Sequence, residues 1–157
     1  MKKIAIVIIM ISLYFLVNNI GFVFAEDLHY TKDNIKDEIG VKGPLKFNKT
    51  IFKLAWTAKP NDTYYVQEYL PEGEDLETFN QMLAIHIFIQ DIKPIDAVHQ
   101  KAIELSTKRK KTDPFNQFAI FKDPDEKKFI IDFLVGEVEN DFVTLVEFNI
   151  FRYEQFN

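Results

Sequence analysis

Cysteine is absent from all 157 residues. Disulfides, a lipidated cysteine anchor and a thiol nucleophile are therefore excluded, and the core has to hold together by packing alone. Serine is almost as scarce. Ser12 lies in an apolar N-terminal run and Ser106 in a helical pattern, and neither sits in the strained strand-to-helix elbow that exposes a serine nucleophile. The five glycines never approach GxGxxG or GxxxxGK, so no glycine-rich cradle for a nucleotide phosphate is present. His29, His86 and His99 are too far apart for HExxH or a similar local pattern, and no metal site is expected. Lys108, Arg109, Lys110 and Lys111 form a single basic run without interleaved aromatic residues in a chain of net charge -5, which argues against a nucleic-acid partner. No cofactor is expected either.

The chain opens MKKIAIVIIMISLYFLVNNIGFVFAED. Lys2 and Lys3 form a basic start, an apolar run follows from Ile4 to Val17, and Val23 and Ala25 are the small residues wanted before a cut ahead of Glu26. Residues 1–25 read as a signal peptide and 26–46 as a polar arm. Residues 47–157 read as one α+β domain. Removing Lys2 and Lys3 with the leader takes the formal charge from -5 to -7. The alternative is an inner-membrane anchor, since residues 4–24 approach the roughly 20 needed to span a bilayer; a membrane enters only if they are retained.

Aromatic residues are abundant, with 16 phenylalanines and six tyrosines. The sequence TIFKLAWTAKPNDTYYVQEYL reads as a hairpin around Lys59-Pro60-Asn61-Asp62, with Phe52, Leu54 and Trp56 expected on one face. Asp75 is placed to cap a short helix over about 75–82, and LAIHIFIQ, residues 83–90, reads as a buried strand in preference to a continued helix. Ile95, Val98, Ala102 and Leu105 recur at three- and four-residue intervals behind Pro94, which predicts a long helix over about 94–109. Three strands follow, with Phe129, Ile131, Phe133 and Val135 sharing a face. The expected fold is α+β: a mainly antiparallel sheet of about five or six strands with both helices packed on it.

Candidate catalytic residues are Glu68, Glu147, His86 and His99. Glu68 and Glu147 are the carboxyl pair to test, because paired carboxyls roughly 5–9 Å apart perform general acid and base roles in glycoside hydrolysis. Trp56, Tyr65 and Tyr69, beside Glu68 on the aromatic hairpin, are candidate ligand-binding residues. The leading expectation is an exported binding or interaction module of a bacterial envelope, periplasmic or extracellular and not an enzyme, whose partner is an envelope protein or a small ligand. A carboxylate-based hydrolase and a membrane-anchored accessory subunit are the alternatives.

Overall fold

The computed structural model of the protein describes residues 3–12, 35–109 and 112–156; His29 lies outside them. The strands are β1 (Lys3–Ser12), β2 (Leu45–Phe47), β3 (Thr50–Asn61), β4 (Tyr64–Pro71), β5 (Gln81–Phe88), β6 (Gln117–Lys122), β7 (Lys128–Glu139) and β8 (Phe142–Phe156). Helix α1 (Pro94–Glu104) continues into a wider π-type segment, Leu105–Arg109. Every strand pair is antiparallel, and the order across the sheet is β2-β3-β4-β5-β1-β8-β7-β6. The fold is thus α+β. Apart from β1 it consists of two antiparallel sheets, of four and three strands, with one helix packed against them. No helix among the described residues is long and apolar enough to cross a membrane.

Local pattern accounts for α1. Pro94 occupies the first turn, where its missing N–H costs nothing, and Asp96 lies in the same turn. Val98 and Leu105 are buried against Phe129, Ile131, Phe133 and Val135 of β7 and Tyr153 of β8, with Ile95 and Ala102 partly buried beside them. The described helical run reaches Arg109, and its last turn widens. There the Ser106 hydroxyl donates to the Ala102 carbonyl and the Thr107 hydroxyl to the Ile103 carbonyl, at 2.8 and 2.6 Å. Side chains thereby compete for the carbonyls that an α-helical ladder would use.

The short helix over 75–82 does not form. Asp75 Oδ1 accepts the Glu77 and Thr78 N–H groups, at 3.0 and 2.7 Å, as a cap would. However, Glu74 Oε2 accepts the N–H groups of Asn80 and Gln81, at 2.8 and 3.1 Å, so the donors a helix would have turned inward are already taken. Gln81 and Met82 instead enter β5, which starts two residues earlier than the apolar run suggests.

A second core lies on the opposite face of the sheet. Phe52, Tyr69 and Leu83 are buried there under Val41, Leu45 and Phe47. The arm is docked through Gln67, which is fully buried. Gln67 Oε1 accepts the Glu38 and Ile39 N–H groups, at 2.7 and 3.3 Å, while Nε2 donates to the Val41 carbonyl at 3.2 Å and the Tyr69 hydroxyl at 2.7 Å. Gln67→Leu removes these bonds, and a longer one from the Thr57 hydroxyl to Oε1 at 3.5 Å, at nearly constant volume. It is expected to lower stability by about 2 kcal/mol and to open the arm to trypsin after Lys36 and Lys42. Unchanged resistance at both lysines would show that the arm docks by its apolar residues alone.

Candidate functional site

Strand register decides which candidates meet. Glu68 pairs with Ala84, Val66 with His86, and Tyr64 with Phe88, so these six residues of β4 and β5 share one face, the face that carries α1 farther along the sheet. A register shift between Leu54 and Trp56 leaves Ala55 as an extra residue and brings Trp56 opposite Glu68. Trp56 therefore leaves the face of Phe52 and Leu54 and joins that of Glu68, contrary to the simple alternation of the sequence.

The Tyr64 and Phe88 rings stack at 4.6 Å and 8°, and the Tyr64 and His86 rings lie at 5.9 Å and 11°. The Tyr64 hydroxyl meets His86 Nδ1 at 2.7 Å. With the phenol donating, the imidazole carries its proton on Nε2. Burial holds His86 neutral by moving its pKa from 6.5 to about 4. Burial acts on Glu68 in the opposite sense, raising its carboxyl from 4.5 to about 7. Tyr64 is raised too, first by burial and then by the charge of Glu68. The face thus carries a carboxyl group, an imidazole and a phenol that are all neutral in mildly acidic solution.

Past the end of β5 the same face opens into a cavity of about 310 Å³ beneath α1. Phe88, Ile92, Ala97 and Tyr153 line it with apolar surface, and Gln90, Gln100, Lys101 and Glu104 add polar groups. Lys101 Nζ lies 3.3 Å from Glu104, 4.9 Å from the centre of the Phe133 ring and 5.3 Å from that of Phe151, so its charge is held in place from both sides. Phe88 belongs both to this cavity and to the stack on Tyr64.

The remaining candidates do not join this site. Glu147 is on the same face, but three strands across from Glu68 and four residues along β8 from the row of Glu68, which passes through Ala84, Ile8 and Phe151. Strand spacing and rise place the two carboxyls roughly 14 Å apart across the sheet and roughly 13 Å along it. They do not form a paired acid and base. Tyr65 points to the other face, opposite Ile87, with Lys59 Nζ 5.4 Å from its ring centre. Tyr69 is fully buried and its hydroxyl donates to the Val41 carbonyl, so it anchors the arm. His99 is exposed on α1. Among the described residues no cluster of His, Asp or Glu is arranged to hold a metal ion. Gln67, Lys101 and Glu104 escaped notice in the sequence because an isolated polar residue in a strand or helix carries no periodic signal.

A protein-family model matches residues 39–157, and the chain belongs to that family. The matched span contains β2 to β8 and α1 and leaves β1 outside it. No curated protein and no solved structure matches the chain.

Proposed function

We propose that this protein is an exported, non-enzymatic binding module of a bacterial envelope that takes a small amphipathic ligand between α1 and the sheet. The basic start and apolar run of the first 25 residues support export. The observation that carries the binding reading is the 310 Å³ cavity, whose apolar wall of Phe88, Ile92 and Tyr153 faces a fixed cation at Lys101. Its size is at the lower end of the range for small-molecule sites, and its few polar groups are of the number that orients a ligand. Ala97→Trp fills the space from the helix side. Native mass spectrometry after incubation with a small-molecule extract of the culture medium is expected to find a bound species on the wild type and none on the filled variant. Equal occupancy of the two proteins, or none on either, would remove the proposal.

The hydrolase reading keeps one favourable observation, a carboxyl at Glu68 whose pKa of about 7 suits acid and base chemistry at neutral pH. In that reading Glu68 works with His86 and Tyr64, and Glu147 has no part. The membrane-anchored reading rests on retention of residues 4–24, which the intact mass of the exported protein decides.

A further inference from the structure

Residues 3–12, which read as part of an export signal, form the central strand of the sheet. β1 pairs continuously with β5 from Ile4↔Phe88 to Ile11↔Gln81, and with β8 from Lys3↔Phe156 to Ser12↔Glu147. Among the described residues β5 and β8 do not pair with each other; β1 alone joins the two sheets. Cleavage ahead of Glu26 would therefore take away the strand between them and leave a gap of two strand spacings, roughly 9.5 Å.

Such a gap is not easily closed from within. β5 and β8 are both antiparallel to β1, so they run parallel to each other. Bringing them together would create one parallel ladder in an otherwise antiparallel fold and would shift the β6–β8 sheet, with α1 packed on it, by about one strand width. Left open, the gap would expose backbone N–H and C=O groups along both strands, together with Met82, Leu83 and Ala84, which are now at most 5% exposed. Both faces of its centre are apolar. Ala84 and Phe151 flank the Ile8 position on one face, and Leu83 and Ile150 flank the Ile9 position on the other.

We infer that the exported protein is a strand acceptor: the gap between β5 and β8 takes up an extended, uncharged apolar segment of another exported chain, antiparallel to both neighbours. Main-chain hydrogen bonds on two edges would provide affinity, as in other strand additions. The two-sided apolar centre would select an unbroken apolar run and reject an alternating one. The protein's own residues 3–12 show the fit, since they occupy the position along its whole length. The inference rests on the export part of the proposed function, and β1 also separates Phe88 of β5 from Tyr153 of β8, two walls of the cavity under α1.

The test uses the exported protein, its N-terminus fixed by intact mass, and a lysine-flanked synthetic peptide carrying the sequence of residues 3–12, with the same peptide bearing Val7→Pro as control. The expected result is amide exchange slowed roughly tenfold or more in β5 and in residues 147–156 of β8 by the first peptide and not by the second. If the exported chain is unfolded alone, recovery of its sheet signal with the first peptide supports the inference, and failure to recover overturns it. Retention of residues 3–12 in the exported protein, or full protection of both strands without peptide, overturns it as well. Full protection of both strands without peptide would overturn this inference and leave small-molecule binding abolished by Ala97→Trp intact, so the two proposals are distinguishable.

Discussion

Glu68→Gln is expected to yield a protein whose stability rises from pH 4.5 to 6.5, and His86→Gln one whose stability falls from pH 4.5 to 7. The wild type should be nearly flat where these intervals overlap. Glu68 has its carboxyl raised from 4.5 to about 7 in the fold. Between those values the native state keeps a proton that the unfolded state has lost, so stability falls as pH rises; the penalty is absent below pH 4.5 and complete above pH 7. For His86 the value drops from 6.5 to about 4. Here the unfolded state binds the extra proton, so the stability of the neutral imidazole is fully present above pH 6.5 and is lost as pH falls toward 4. Each displacement corresponds to roughly 3 kcal/mol between the two protonation states.

The two slopes oppose one another because both arise from burial on one sheet face, which disfavours a carboxylate and an imidazolium alike. Urea denaturation at four pH values from 4.5 to 7.5 separates them. Glu68→Gln should gain roughly 3 kcal/mol over wild type at the alkaline end and almost nothing at pH 4.5. The double variant should show neither slope, at a level set by the loss of the Tyr64–His86 contact. Parallel pH profiles for all four proteins would show that neither group titrates in the assigned direction.

Asp113→Ala is expected to cost about 3 kcal/mol, through unsatisfied backbone donors and not through lost apolar surface. The Asp113 carboxyl is buried between the end of the helical segment and β7. Its Oδ1 accepts the Phe115 N–H at 2.9 Å and its Oδ2 the Gly136 N–H at 3.0 Å, with Arg109 Nη1 3.7 Å away. Removal leaves the Gly136 N–H without the acceptor it has at 3.0 Å. A Cβ on Gly136 would lie 2.5 Å from Phe115 Cδ2 and 3.0 Å from the Leu145 carbonyl oxygen. Asp113→Asn keeps one acceptor and should lose less. Gly136→Ala should destabilise by overlap with the Phe115 ring, and combined with Asp113→Ala its effect should be less than additive, since both release the same loop from β7. A denaturation midpoint for Asp113→Ala indistinguishable from wild type would mean that water reaches the Gly136 N–H.

Several features were legible because they are properties of adjacent residues. The spacing of Ile95, Val98, Ala102 and Leu105 marks the buried stripe of α1, and the alternation of Phe129, Ile131, Phe133 and Val135 marks the face of β7 against which it packs. The short helix failed for an equally local reason of another kind. Asp75 has the correct capping chemistry, but Glu74 claims the Asn80 and Gln81 donors and the sheet claims Gln81 and Met82. A cap signal states where a helix can begin; it does not state that the next residues have no better partners.

The sequence by itself determined that no cysteine chemistry is available, that an amphipathic helix after Pro94 separates two sets of strands, and that Phe129, Ile131, Phe133 and Val135 lie on the same side. These follow from composition and from periods of 3.6 and two. Only the tertiary structure decided that Glu68 neighbours His86 and lies far from Glu147, that Ala55 turns Trp56 away from Leu54, and that Gln67 is buried beneath the arm. The place of residues 3–12 between β5 and β8 belongs to the same class. Strand order and register are set by hydrogen bonds and packing between segments far apart in the chain, and a local pattern fixes the face of a strand without naming its neighbour.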